Sequence, residues 1–163
     1  MRHGGNVWEG QPADWLDFSA NLRPEGTPAW VMDTMRAALS QACYYPDRAM
    51  RAARAGLALY LGVDENCVLP TAGGAAAIDL TLGVRRGAVH VQQPTFGEYA
   101  ERAKAHGRRM AANQAIQADD TVVVCNPNNP TGTLLSPNDV LRMHRDVRNS
   151  GGELIVDEAF IDY

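Results

Sequence analysis

The chain has 163 residues, of which 45% are hydrophobic and 21% charged, a composition typical of a globular protein with a buried core. No apolar run approaches the roughly 20 residues that a transmembrane helix needs. The N-terminal stretch MRHGGNVWEG lacks the apolar core of a signal peptide, and a formal net charge of -4 without a basic cluster gives no electrostatic site for nucleic acid.

The cysteines are odd in number and widely spaced: Cys43, Cys67 and Cys125. A disulfide framework or a zinc site needs cysteines paired at short spacing, such as C-x-x-C. The cysteine pattern therefore favours neither, and we expect a reducing, cytoplasmic location.

Two helices are predicted in the first part of the chain. Thr27 and Pro28 are typical of an N-cap and a first helical residue, and apolar residues then share one helical face at Val31, Met35, Ala38, Leu39 and Ala42. The second helix is predicted to begin near Asp47, to end at Gly62, and to bury Met50, Ala53, Leu57 and Leu61.

After Gly62, short apolar runs alternate with helical stretches. The predicted strands are CVLP, AVHVQ, TVVVC and ELIVD, and the predicted helices span 74–83, 95–106 and 137–149. The last helix has a capping-box start at Ser136, Pro137 and Asp139. This order predicts an α/β fold, with a mostly parallel sheet and flanking helices, in a single domain.

Four unusual motifs each follow one of the predicted strands. In chain order they are TAGGAAA, QPTFGEY, NPNNPTG and DEAF. The carboxyl ends of parallel strands share one edge of a sheet, and ligands bind at that edge in open α/β folds. The sequence therefore predicts one crevice to which all four motifs contribute.

Each motif also has a purely structural interpretation. Gly73 and Gly74 open a helix whose bare N–H groups suit a phosphate, but a flexible turn uses the same residues. Tyr99 could stack on a planar ligand or belong to the core. Asn129 could bind a ligand or serve only the turn. Taken singly, these motifs leave both interpretations open.

Asp157 has the strongest functional case among the polar residues. It ends a buried apolar strand beside Glu158, and a carboxylate in such a place needs a partner, such as a cation, a metal or a protonated ring nitrogen. By contrast, His90, His106 and His144 share no ligand spacing, so we interpret them as structural or solvent-facing.

Taken together, the motifs resemble the large domain of fold type I pyridoxal-phosphate enzymes of aminotransferase class I and II. The specific signal is NPNNPTG followed, a helix and a strand later, by DEAF. Within this group HGGN, DFSANLRPEG and DEAFIDY are most similar to the threonine-phosphate decarboxylases of cobalamin biosynthesis. Histidinol-phosphate aminotransferases are the alternative; they usually have Tyr where this chain has Phe160, and they lack the HGGN opening. The resemblance extends from His3 to Tyr163.

The resemblance implies a site for pyridoxal 5'-phosphate (PLP). Its residues would be Gly73, Gly74, Ala75, Tyr99, Asn129 and Asp157. Backbone N–H groups of the first three would hold the phosphate, and Tyr99 would stack on the ring. Asn129 would hydrogen-bond the phenolic oxygen, and Asp157 would keep the pyridine nitrogen protonated so that the ring can accept electrons.

The resemblance also implies a phosphorylated amino acid substrate and a homodimer. The segments that approach the substrate in this family contain His3, Asn6, Ser19 and Asn21. Two departures bear on the chemistry: Ala75 and Ala76 replace a commonly polar residue in the phosphate turn, and Phe160 lacks a hydroxyl that aminotransferases direct at the phenolic oxygen. The second departure favours the decarboxylase.

The third departure concerns lysine, which these enzymes need for covalent attachment and proton transfer. The only lysine here is Lys104, on a helix face that reads as solvated, whereas the family's lysine lies downstream of DEAF. We therefore expect residues 1–163 to be an N-terminal arm plus part of the PLP-binding large domain of a longer enzyme, inactive alone. The alternative of another class is a non-catalytic chain that binds the cofactor weakly or not at all.

Overall fold

The computed structural model describes residues 4–11, 14–111 and 114–162. The chain forms two compact units, one up to Leu69 and one from Pro70 onward. No described helix has both the length and the apolar character that crossing a membrane requires.

The first unit contains helices α1 (Ala29–Ala38) and α2 (Arg51–Leu61), with 3-10 turns at Val7–Glu9, Leu39–Gln41 and Glu65–Cys67. Pro28 is itself the N-cap of α1, one residue later than predicted. The predicted end of α2 is confirmed, since Gly62 is left-handed at φ 66°. Asp47 lies before α2 and accepts hydrogen bonds from the N–H groups of Ala49 and Arg51, so it caps the approach to the helix.

The buried faces predicted for these two helices were wrong. No described residue of α1 is buried, and Met35 and Leu39 are 60% and 71% exposed. In α2 only Ala58 is buried, while Leu61 is 57% exposed. The apolar periodicity identified a real apolar face on each helix. Periodicity does not show which residues cover such a face, and the described residues of this unit leave most of it exposed.

The second unit is a parallel sheet with helices. Its strands are β1 (Val89–Val91), β2 (Met110–Ala111), β3 (Thr121–Cys125) and β4 (Glu153–Asp157), in the order β2-β1-β3-β4 with every pairing parallel. Its helices are α3 (Gly74–Gly83), α4 (Glu98–Ala105) and α5 (Pro137–Asn149). The predicted α/β fold with a parallel sheet is confirmed, and so is the capping box of α5.

Two predicted elements differ. CVLP is not a strand: Val68 is extended, at φ -111° and ψ 127°, but it pairs with no described strand. The sheet still has four strands, because β2, which was not predicted, takes the place of CVLP. With two residues, β2 is too short to show an alternating pattern. Helix α4 begins at Glu98 rather than at residue 95, because the hydrogen bond from the Thr95 hydroxyl to Asn128 holds Thr95 in the preceding loop.

The core of this unit lies between the sheet and helices α3 and α4. It consists of Ile78, Leu82, Val89, Tyr99, Ala103, Val123 and Cys125. Val123 and Cys125 alternate along β3, so they point to the same face of the sheet. The core thereby fixes the carboxyl end of β3 against the first turn of α4.

A buried polar network closes the opposite end of the sheet. Arg108, only 5% exposed, donates to the carbonyl oxygens of Leu82, Gly87 and Ala88 and to the Thr121 hydroxyl. Burial lowers the pKa of its guanidinium. Asp120 is hydrogen-bonded to His90, with 2.9 Å between Oδ2 and Nε2. His90 therefore has a structural partner within the fold.

Candidate functional site

Three of the four sequence motifs meet at the carboxyl edge of the sheet. Because all strands are parallel, the loops after β1, β3 and β4 leave from the same edge. The Asn126 N–H donates to the Asp157 carbonyl over 2.8 Å, and the Thr95 hydroxyl donates to Asn128 Oδ1 over 2.8 Å. QPTFGEY, NPNNPTG and DEAF are therefore in direct contact through hydrogen bonds.

The glycine-rich turn begins α3 on the same side of the sheet. The short link from Gly83 to Val89 places the end of α3 near the amino end of β1, so its start lies towards the carboxyl edge. Gly73 has a positive φ of 81° with ψ at 172°, and a Cβ added at Gly73 or Gly74 would meet no heavy atom within 4 Å. First-turn N–H groups lack intrahelical acceptors, which suits an anion.

Gly73 differs from its two neighbours in this turn. Its own N–H donates to the carbonyl of Thr71 over 2.9 Å, so it is already engaged. The donors that the helix leaves for an anion are those of Gly74, Ala75 and Ala76, because the first helical bond is made by the Ala77 N–H. Gly73 contributes a positive φ with an extended ψ instead, a conformation that residues with a side chain rarely adopt.

The three asparagines of NPNNPTG have different roles. Asn126 is 4% exposed, and its carboxamide binds both the N–H and the carbonyl of Leu135. Asn128 binds the loop after β1 through its side chain. Asn129 is half-buried, and among the described residues its side chain has no hydrogen-bond partner. Two asparagines therefore shape the loop, and the third leaves its amide available to a ligand.

Asp157 and Tyr99 form a second part of this edge. Asp157 is half-buried at the end of β4; its Oδ1 accepts from the N–H of Ala159 over 3.0 Å and its Oδ2 from the Tyr99 hydroxyl over 2.7 Å. Burial raises the pKa of Tyr99, and contacts with Cys125 and Asp157 raise it further. The phenol therefore stays protonated and serves as the donor.

Tyr99 lies in the core rather than on an open surface. Its side chain is fully buried, and the ring of Phe96 meets it edge-on at a centroid distance of 5.7 Å and an interplanar angle of 83°. Stacking on a planar ligand needs one ring face to be uncovered. The stacking role of Tyr99 therefore stays a prediction, whereas its hydrogen bond to Asp157 is a contact that the sequence pattern did not indicate.

A cavity of about 150 Å³ lies beneath the NPNNPTG loop. Neutral polar side chains of two loops line it, among them Gln92, Gln93, Asn128, Thr131 and Thr133. None of the six predicted cofactor residues lines this cavity. Sequence reasoning missed the part that Asn128 and Thr95 play here, and the only available signal was a polar residue beside each proline.

The first unit holds the predicted substrate residues, except His3, which lies outside the described residues. Asn6, Ser19 and Asn21 are all exposed. The Gly5 N–H donates to Ser19 Oγ over 2.8 Å, and a Cβ added to Gly4 would lie 1.8 Å from the Ser19 carbonyl oxygen. The HGGN and DFSAN stretches are thus brought together in a way that only glycine permits at position 4.

A cavity of about 340 Å³ opens where these two stretches meet. Asn6 and Ser19 line it together with Trp15 and Phe18, and Asn21 does not. Ser19 also donates to Asp17 over 2.6 Å, and this hydrogen bond lowers the pKa of the Asp17 carboxyl. The structure therefore brings two of the predicted substrate residues together, and their role towards a substrate stays a prediction.

Comparison with known proteins places these features in a family. The chain is 33% identical to a threonine-phosphate decarboxylase of Pseudomonas aeruginosa and 36% identical to one of Sinorhizobium sp., over 99% and 98% of its length. In each case it spans 50% of the curated relative, about half its length. The fold also matches histidinol-phosphate aminotransferase of Sinorhizobium meliloti, solved in complex with pyridoxal-5'-phosphate: TM-score 0.76, 20% identity, over 87% of this chain and 43% of that one.

The family model for aminotransferase class I and II matches residues 13–163, nearly the whole chain. Both carboxyl-edge motifs that carried the resemblance, NPNNPTG and DEAF, fall within this match. The chain therefore belongs to the aminotransferase class I and II family.

Proposed function

We propose that this chain binds PLP at the carboxyl edge of its sheet, and that the protein containing it decarboxylates L-threonine O-3-phosphate to aminopropanol phosphate. The observation that carries the proposal is that the three asparagines of NPNNPTG differ in their contacts. Asn126 and Asn128 are fully engaged in loop contacts, whereas the half-buried Asn129 has no side-chain partner among the described residues. The Asn129 amide is open to solvent, so a ligand can take it as a hydrogen-bond partner.

The residues at this edge fit PLP by their donor and acceptor chemistry. The Gly74 and Ala75 N–H groups would bind the phosphate at the start of α3, and Gly73 would provide the positive φ that the turn needs. The Asn129 amide would donate to the phenolic oxygen. Asp157 would hold a proton on the pyridine nitrogen, an ion pair that the half-buried setting strengthens. When bound, PLP supplies an electron sink for the electron pair left at the α-carbon as carbon dioxide leaves.

Asp157 is held ready for this role by its own neighbours. The Ala159 N–H and the Tyr99 hydroxyl both donate to the carboxylate, so its two oxygens are fixed in direction. Each carboxylate oxygen has two acceptor sites, so a ring N–H can be added without removing either donor. Tyr99 is therefore proposed both as a neighbour of the ring and as the group that orients Asp157.

Three observations support decarboxylation rather than amino transfer. The two curated relatives described above carry the decarboxylase name. Phe160 has no hydroxyl to offer the phenolic oxygen. The HGGN stretch contacts Ser19, and Asn6 and Ser19 share one cavity.

We propose that these residues, with His3 and Asn21, approach the phosphorylated substrate, and that the protein is a homodimer. Amino transfer by a histidinol-phosphate-type enzyme is the second candidate, because it uses every cofactor residue named here.

Lys104 does not serve as the covalent attachment point in this proposal. It is exposed on the last turn of α4, whereas Tyr99, which meets Asp157, lies on the first turn. The chain alone would therefore bind PLP without a covalent link. A chain that does not bind the cofactor at all is the alternative of another class.

The test is titration of the 163-residue protein with PLP, followed by absorbance and fluorescence. We expect saturable binding that weakens about fivefold or more in Asn129→Ala, the loss of one hydrogen bond. Asn149→Ala is the matched control, since Asn149 is exposed at the end of α5. Borohydride reduction and peptide mapping should find no stoichiometric label on Lys104. Equal affinities in wild type and Asn129→Ala, or site-specific labelling of Lys104 with carbon dioxide release, would contradict the proposal.

The reaction type needs a separate measurement. In a protein that carries this chain together with the family's lysine, we expect carbon dioxide release from L-threonine O-3-phosphate to exceed amino transfer from histidinol phosphate to 2-oxoglutarate. Faster amino transfer would favour the second candidate.

A further inference from the structure

Asn128 joins two loops that are far apart in sequence. Its Oδ1 accepts from the Thr95 hydroxyl over 2.8 Å, and its Nδ2 donates to the Pro94 carbonyl over 3.0 Å, residues 33 and 34 positions away. Nδ2 also donates to Thr131 Oγ1 over 2.8 Å. Two of these three bonds therefore leave the NPNNPTG loop and reach the segment that connects β1 to α4.

The orientation of the carboxamide follows from its partners. A carbonyl oxygen can only accept, so the side facing Pro94 must be the NH₂ group. Both of its hydrogens are then used, one towards Pro94 and one towards Thr131, and the oxygen accepts from Thr95. A carboxamide supplies two donors and an acceptor in this arrangement, whereas a carboxylate supplies no donor.

The turn itself does not need this side chain. The backbone closes it, because the Asn128 N–H donates to the Thr133 carbonyl over 2.8 Å and the Gly132 N–H donates to the Asn128 carbonyl over 2.7 Å. Gly132 supplies the left-handed residue, at φ 69°. The Asn128 side chain is therefore not needed to form the turn. Its contacts instead fix the position of the closed loop relative to the segment after β1.

Each of the two joined loops leads directly to a residue of the proposed cofactor site. Asn129, whose amide is available, is the next residue after Asn128. On the other side, Thr95 is followed one turn later by Tyr99, which donates to Asp157. We propose that Asn128 is a positioning residue: it fixes the Asn129 amide relative to the Tyr99–Asp157 pair and acts on PLP through Asn129. This inference rests on the proposed function and adds a residue to it.

The test measures PLP affinity in a double-mutant cycle on the 163-residue protein. Asn128→Asp keeps the size of the side chain but places an oxygen against the Pro94 carbonyl, so we expect PLP binding to weaken about fivefold, as far as in Asn129→Ala. In the Asn129→Ala background, Asn128→Asp should cause no further loss, because its effect passes through Asn129. The exchange rate of the Gly132 amide should stay as in wild type, since the backbone closes the turn without the side chain.

A second variant breaks the same contact from the other side. Thr95→Val removes only the hydroxyl and adds no charge, and we expect about threefold weaker PLP binding from the loss of one hydrogen bond. Asn149→Asp makes the same chemical change as Asn128→Asp at an exposed position, and should leave the affinity unchanged.

The outcomes separate this inference from the proposed function. An equal loss of affinity from Asn128→Asp with and without Asn129 would show a general structural effect and would overturn the inference. Unchanged affinity in both Asn128→Asp and Thr95→Val, with Asn129→Ala weakened, would also overturn it while the proposed function stands. Failure of the wild-type protein to bind PLP would overturn the proposed function, and the role of Asn128 with it.

Discussion

Asp120 should not tolerate replacement by asparagine, although the two side chains have the same shape. The residue is 3% exposed, just before β3. Its Oδ1 accepts from the Ala88 N–H over 2.7 Å, and its Oδ2 accepts from the Gln117 N–H and from His90 Nε2, each over 2.9 Å. Both oxygens thus face backbone N–H groups, which can only donate. In Asp120→Asn the NH₂ group must face one of them, whichever way the carboxamide is turned.

The expected cost follows from what that mismatch removes. A hydrogen bond to a charged acceptor contributes about 1.5–3 kcal/mol, and a buried donor left without a partner costs about 1–3 kcal/mol. We expect Asp120→Asn to lower the free energy of unfolding by about 3 kcal/mol, within the upper range of single substitutions.

The adjacent residue provides a matched control. Asp119 uses Oδ2 to accept from the N–H groups of Arg86 and Gly87 over 3.0 and 3.1 Å, its Oδ1 lies 3.6 Å from Arg85 Nη1 in an ion pair, and its side chain is 51% exposed. The oxygen of a carboxamide can accept both bonds. The backbone is left-handed here, at φ 70°, a conformation that asparagine tolerates. Asp119→Asn loses only this partly exposed ion pair, so it should lower the free energy of unfolding by no more than about 1 kcal/mol.

Urea unfolding followed by circular dichroism measures both variants. With a slope of about 2 kcal/mol per molar urea, 3 kcal/mol corresponds to a midpoint about 1.5 M lower for Asp120→Asn. If its midpoint coincided with that of Asp119→Asn, the donor mismatch would not be the controlling interaction, and the assignment of both Asp120 oxygens as obligate acceptors would be refuted.

Three further predictions concern acid and glycine. Burial alone would raise the pKa of Asp120, but hydrogen bonds from Gln117, His90 and Ala88 outweigh it and hold the pKa below its ordinary value of 3.8. The resulting stabilisation is complete above the unfolded pKa and is lost as the pH falls through the folded one, so the free energy of unfolding should decline below about pH 4; an equally steep decline in Asp120→Asn would assign it to other groups. Gly56→Ala should raise the free energy of unfolding by about 0.5–1 kcal/mol, because Gly56 lies inside α2 with open space around an added Cβ. Gly4→Ala should speed amide exchange at Gly5, since its Cβ collides with the Ser19 carbonyl; unchanged exchange would mean that the two stretches do not approach so closely.

The elements that sequence reasoning predicted well are those with a local cause. The capping box of α5 involves Ser136 and Asp139, three positions apart, so its signal is contained in one turn. β3 and β4 are runs of β-branched and aliphatic residues that fit a sheet buried on both faces. CVLP has the same apolar composition, but a strand also needs a partner, and this requirement cannot be read from the run itself.

At the candidate site, too, residues with a local sequence signal were predicted, whereas contacts between residues far apart in sequence were not. Asn129 and Asp157 could be singled out because an unusual residue follows a strand. The contact between Tyr99 and Asp157 spans 58 positions, and the bonds of Asn128 span 33 and 34. Such contacts depend on the order of strands in the sheet, for which a single sequence carries no local signal. The exposure of the apolar faces of α1 and α2 was mispredicted for the same reason, because what packs against a helix also has no local signal in the sequence.

The all-parallel sheet has a consequence for how the chain folds. Val89 pairs with both Met110 and Thr121, and Thr121 pairs with Glu153, so every described pairing joins residues 21 or 32 positions apart and none closes as a hairpin. Helices α3 and α5 can form within microseconds, whereas the strands must wait for long loops to close. We expect refolding of this unit to be slow for its size and limited by the alignment of β1 with β3, with the apolar strand segments open to association until α3 and α4 cover them.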